Sequence, residues 1–335
     1  MIAADLLTGS LEALKEPLIF GTAAGLASSL AVAAVTVFVM GRFGWIESTV
    51  RRELLLRCGT WAVLAALILG PIVLGKICVV IAVGLLSLGC YREYARATGL
   101  FRQRLVHVLV VAGIIGVALA AAFDRYHVFI ALWPFAIGLI AAGSIALDRP
   151  QGYIQRTSLG VFGFLLFGAC LGFVSLLAND GNFRLLLIWL LLAVELNDVF
   201  AFLTGKLVGG PRLRPRTSPN KTLAASIGAM ILTTALVILV GLHVFEGQPV
   251  GTPGHLVALG LIISICGQLG DLVLSSIKRD LQIKDMSVAL PGHGGLLDRF
   301  DSLILVAPVV FYYLAAFQGV GDLRPWHFVR MTAGD

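Results

Sequence analysis

Ser275–Asp301 reads SSIKRDLQIKDMSVALPGHGGLLDRFD, and it lies between two apolar runs, near 254–276 and 302–320. It carries Lys278, Arg279, Lys284 and Arg299, the carboxylates of Asp280, Asp285, Asp298 and Asp301, and His293. Ionisable groups are costly in hydrocarbon, so a dense polar block between two spans marks where a membrane protein does its chemistry, if it does any. The fold turns on whether the flanking runs cross a membrane.

Composition says that they do. The chain has 335 residues, 58% hydrophobic and 13% charged, with a mean hydropathy of +0.94. A soluble domain carries about 25% charged residues. The deficit predicts an all-α polytopic membrane protein. The net charge of +6 is too small and scattered to recruit nucleic acid, and Lys and Arg here report orientation instead. Cys58, Cys78, Cys90, Cys170 and Cys266 form no CxxC pair and read as small core residues, not as a disulfide or zinc framework. No cleavable signal peptide is expected, because the first apolar run begins near Pro17 behind mixed acidic and basic residues.

A transmembrane helix needs about 20 mostly apolar residues. By that measure ten spans fall near 17–40, 59–75, 77–93, 104–123, 127–147, 158–178, 185–204, 222–245, 254–276 and 302–320. The second and third are short and meet at Gly75-Lys76. With alternate connections on one side, 41–58, 94–103, 148–157, 205–221 and 277–301, together with flanking helix ends, hold 19 of the 25 Lys and Arg residues. The positive-inside rule puts that side, and so the 277–301 block, in the cytoplasm, with both termini outside. Arg51, Arg52 and Arg57 read as orientation signals at anionic headgroups. Trp45, Trp133 and Trp326 read as interfacial, and Tyr91–Arg96 as an amphipathic extension at the interface. The organisation expected is a scaffold of spans over 1–180, available for dimer contacts or lipid access, a site-bearing region over 181–322 and a tail over 323–335.

The seventh span embeds Glu195, Asn197 and Asp198 in apolar sequence. An Asp near a helix centre costs about 2.5–3.5 kcal/mol on insertion scales, so these residues need partners. Interhelical hydrogen bonds would satisfy them, and so would a site. The connection GKLVGGPRLRPRTSPNKT (205–222) follows, made cationic by Lys206, Arg212, Arg214, Arg216 and Lys221. Ser218, ahead of the eighth helix, reads either as an ordinary cap or, beside those cations, as part of a phosphate site at a helix N-terminus. The GxxxxGK[ST] order of a P-loop is missing.

Asp271, Ser275 and Lys278 recur at i, i+4 and i+7 and share one helix face. Asp298 and Asp301 would share a face at the start of the tenth span. Between them Pro291-Gly292-His293-Gly294-Gly295 reads as an irregular, close-packed turn. Convergent carboxylates suit a hard cation, and magnesium takes one or two of them together with substrate phosphates. Lys and Arg can hold phosphate oxygens and neutralise charge that builds during transfer. No Cys or paired His stands at zinc spacing. His293 reads equally as a backbone anchor between glycines.

The run Ser275-x-Ile277-Lys278-Arg279-x4-Lys284-Asp285-x-Ser287-x2-Leu290-Pro291-x-His293-Gly294-Gly295-Leu296-x-Asp298-Arg299-Phe300-Asp301 resembles the signature of phosphatidate cytidylyltransferases (CDP-diacylglycerol synthases). Asn197-Asp198-x2-Ala201-Phe202-x2-Gly205-Lys206 and Ser218-Pro219-x-Lys221-Thr222 resemble two further motifs of that family. The resemblance covers about 185–320, and the first 180 residues match only in being apolar. It implies a dimeric inner-membrane enzyme that joins CTP and phosphatidate at a magnesium-dependent site, with room for a second cation. It further implies metal ligands at Asp271 and Asp298, with Asp301 close by. Lys278, Arg279, Lys284, Asp285, His293 and Arg299 would carry catalysis. Asn197, Asp198, Lys206, Ser218, Lys221, Thr222 and Ser275 would line the substrate side. One departure stands out: where the family has an apolar residue and then Glu-Gly, this chain has Leu223-Ala224-Ala225. It leaves room for another lipid acceptor.

Overall fold

A computed structural model describes residues 13, 15–146, 148–290, 294–321 and 323. Pro291, Gly292 and His293 lie outside the described residues, as do Trp326 and nearly all of the 323–335 tail. Ten helices among the described residues are long and apolar enough to cross a membrane. They are α1 (Pro17–Arg42), α2 (Ser48–Leu74), α3 (Lys76–Ala97), α4 (Arg104–Ala122), α5 (Tyr126–Ile145), α6 (Tyr153–Leu177), α7 (Phe183–Val208), α8 (Leu223–Val244), α9 (Pro253–Asp280) and α10 (Leu297–Phe317). The chain is an all-α polytopic membrane protein.

The second span is not short. α2 starts at Ser48 and takes Arg51, Arg52 and Arg57 into its own first turns, because no proline interrupts it before Pro71, and it ends only at Gly75. Arg57 pairs along the helix with Glu53 at 2.6 Å. Pro17 and Pro253 sit in the first turn of α1 and α9, where a missing N–H costs nothing.

Burial divides the bundle. Most of α6 and α10 lies inside, whereas nearly all of α1 and α2 faces outward. α6 passes through a seven-residue π-helical stretch, Phe164–Cys170. Trp133 packs edge-on against Phe173, 5.6 Å away, in an aromatic cluster with Phe129 and Phe311. All five cysteines are free.

The cationic connection after α7 is not a plain loop. Arg212–Arg214 and Ser218–Thr222 pair as an antiparallel hairpin, β1 and β2, with Arg214 opposite Ser218. Ser218 therefore sits in a strand, and the cap of α8 is Thr222, whose Oγ1 accepts from the Ala225 amide at 3.1 Å.

Candidate active site

α7 to α10 pack one against the next, and their polar residues form two tiers. The inner tier centres on Asn197, buried in α7. Its Oδ1 accepts from Thr233 of α8 at 3.0 Å and from Ser264 of α9 at 2.6 Å. Gln268 extends the network, donating to Ser264 at 3.1 Å and accepting from Ser226. Three helices are thus tied at one point, which fixes how the next turn of each is presented.

The outer tier lies one turn further on. Asp271 follows Gly270, where a Cβ would come within 2.5 Å of the Asp301 carbonyl and 3.2 Å of that of Ser302. Only glycine lets α9 approach α10 so closely, and the approach sets Asp271 beside Asp301. Asp271 Oδ2 forms an ion pair with Lys221 at the end of the hairpin, and Oδ1 accepts from Ser275 at 3.2 Å. Asp301 is buried and accepts its neighbour's amide, from Ser302, at 2.8 Å. Ser302 Oγ donates to Asp198 at 3.2 Å. Asp198 in turn feels Lys221, Asp271 and Arg299, while Asp301 feels Asp271, Asp198 and Lys278. Glu195 lies in the field of Arg299 as well. Lys278 completes the group, its Nζ 2.8 Å from Asp298 Oδ1.

Asp271, Asp298, Asp301, Asp198, Ser275, Lys221 and Lys278 therefore gather in one place. Other expected site residues stand at its margin. Arg279 is exposed and donates to the Thr217 carbonyl at 3.4 Å, holding the hairpin to α9. Lys284 and Asp285 are exposed. Lys206 is exposed, its ammonium 6.0 Å from the Phe202 ring centroid. Thr222 is engaged as a cap and Asn197 as an interhelical tie.

The donor set bears on magnesium. Among the described residues no group of three or more His, Cys, Asp or Glu side chains is arranged to hold a metal unaided. Magnesium, however, usually keeps waters and binds through one or two carboxylates plus phosphates. Asp271 and Asp301, with Asp198 beside them, suit that mode. Asp298 is more committed: Oδ1 faces Lys278, and Oδ2 accepts the amides of Met286 at 2.9 Å and Gly295 at 3.0 Å.

Known proteins resemble the chain over most of its length. Residues 55–317 match the cytidylyltransferase family. The chain belongs to that family. The match begins in α2, so it takes in much of the region that read as merely apolar. The phosphatidate cytidylyltransferase of Staphylococcus haemolyticus is 32% identical over 263 residues, 74% of this chain and 95% of that protein. That of Brucella abortus (strain 2308) is 40% identical over 145 residues, 43% of this chain and 52% of the relative. The Escherichia coli K12 uncharacterized protein YnbB is 37% identical over 197 residues, 57% and 64% of the two chains. The chain thus spans between half and two thirds of the length of the latter two.

One buried carboxylate beside this site has no counterpart among the residues that the sequence singles out. Glu93, in the stretch expected to be an interfacial extension, is buried at the end of α3, flanked by buried Tyr91 and Tyr94. Its Oε1 accepts from Ser287 at 2.6 Å and from the Leu296 amide at 2.9 Å, and its Oε2 from the Leu297 amide at 2.9 Å. Tyr91 and Tyr94, at i−2 and i+1, share no helix face with Glu93, so their spacing gave no signal that this carboxylate is buried.

Proposed function

We propose that the chain is a CTP:phosphatidate cytidylyltransferase of the bacterial inner membrane, making CDP-diacylglycerol and pyrophosphate on its cytoplasmic side. The observation carrying this reading is the junction of Asp271 with Lys221. It joins the 275–301 half of the site to the 197–222 half, so that carboxylates and ammonium groups face one space. Family membership and phosphatidate cytidylyltransferases among the relatives support the same reading.

In this mechanism a phosphate oxygen of the lipid attacks the α-phosphorus of CTP, and pyrophosphate leaves. The lipid phosphate is already an anion near neutral pH, so positioning and charge neutralisation supply most of the rate. Lys221 and Lys278 lie where they can release their carboxylates and take phosphate oxygens, with Arg299 adding positive charge behind them. Asp271 and Asp301 would hold magnesium, with Asp198 close by. Asp298 could join only by giving up Lys278. Magnesium, when bound, would neutralise the triphosphate and stabilise the departing pyrophosphate. The outward-facing α1 and α2 leave surface for a second copy in a homodimer or for lipid.

Incubation with CTP labelled at the α-phosphate, magnesium and phosphatidate tests the reading. Label in a lipid of CDP-diacylglycerol mass, with pyrophosphate released, is the expected result. Phosphatidate left unchanged while another membrane lipid takes the label would point to a different acceptor, as Leu223-Ala224-Ala225 allows.

A further inference from the structure

We infer that Glu93 is a positioning residue for the reaction: a carboxylate from α3 that sets where α10 begins and so where Asp298 stands. The first turn of a helix leaves backbone N–H groups without partners, and its end carries partial positive charge. α10 starts at Leu297, and no side chain of its own capping residue, Leu296, answers those donors. Glu93 answers them from another helix. One oxygen takes the Leu296 amide, the other the Leu297 amide, each at 2.9 Å. The Ser287 hydroxyl, 2.6 Å from Oε1, ties the preceding segment to the same carboxylate.

Asp298 comes one residue after the clamped amides. Its Oδ2 reaches back to Gly295 and Met286, and its Oδ1 meets Lys278. A shift in the start of α10 therefore moves the Asp298–Lys278 pair directly. Gly295 shows how closely the parts fit. A Cβ there would fall 2.5 Å from Glu93 Oε2, 3.0 Å from Ser287 Oγ and 3.1 Å from Asp298 Oδ2. Three polar side chains from three segments converge on a glycine that leaves them room.

The kinetic part of the test rests on the proposed cytidylyltransferase reading, and the exchange part does not. Glu93→Gln keeps the shape but offers a single acceptor oxygen. We expect kcat to fall about 10- to 100-fold, the scale at which small misplacements act, with KM for CTP within about twofold because the 197–222 half is untouched. Hydrogen exchange should quicken in residues 294–300 and leave α7 and α8 unchanged. Ser287→Ala, a milder change, should lower kcat in the same direction. The double variant should lose less than the product of the two losses, since both act through one carboxylate. Unchanged exchange at 294–300 in Glu93→Gln would overturn the inference. So would wild-type kcat, or KM for CTP rising as far as kcat falls. If Glu93→Gln does not fold, Ser287→Ala decides: unchanged kcat and unchanged exchange at 294–300 would overturn it.

Discussion

Lys278 is buried, with its ammonium 2.8 Å from a carboxylate that is buried too. Such a pair owes its position to both partners, because each alone would be an uncompensated charge. Removing one partner of a buried pair costs about 3–5 kcal/mol. Lys278→Met should therefore lower thermal stability in detergent as well as activity. Adding Asp298→Asn should restore part of the stability and none of the activity. Equal stability for the single and double variants would show that the pair is not coupled. At this scale much of the site was legible in the sequence. The i, i+4, i+7 spacing places Asp271, Ser275 and Lys278 on one face, and Ser275 does bond Asp271. The partner of Lys278 could not be read, because Asp298 arrives from the next helix.

Helix contacts explain why the same residues work as a unit. Gly270 governs the α9–α10 crossing, and Asn197 ties α7 to α8 and α9 one turn deeper. Gly270→Val would drive its Cβ into the Asp301 carbonyl, and overpacking of this kind costs about 1–3 kcal/mol. The expected outcome is a modest drop in melting temperature with a much larger loss of turnover, since Asp271 and Asp301 are pushed apart. A variant as active as wild type would mean that this approach is not needed. The length of the apolar runs marked out the helices but not these crossings, which depend on residues far apart in sequence. The hairpin escaped for a related reason: Arg212–Arg214 and Ser218–Thr222 have no apolar face to mark them as strands, and they pair between the ends of α7 and α8.

For the whole molecule, hydropathy was enough to place the ten spans, and charge bias gave an orientation. That orientation puts the hairpin and the 281–290 segment in the cytoplasm and the α8–α9 connection outside. Single cysteines at Val288 and Glu246, in a chain whose five native cysteines are replaced, should label from opposite faces of the membrane, Val288 from the cytoplasm. Labelling of both from one side would refute the alternation. Charge and hydropathy were silent on Glu93, because a lone carboxylate at a helix end looks the same whether it faces water or caps a distant helix.

In the proposed mechanism the two halves of the site meet at Asp271, and catalysis depends on that junction. Its most direct test is Asp271→Asn in the full chain, reconstituted with CTP, magnesium and phosphatidate. The expected result is a folded protein with wild-type thermal stability, within about 1–2 kcal/mol for a partly exposed site, and no magnesium-dependent CDP-lipid. Near-normal turnover would contradict it.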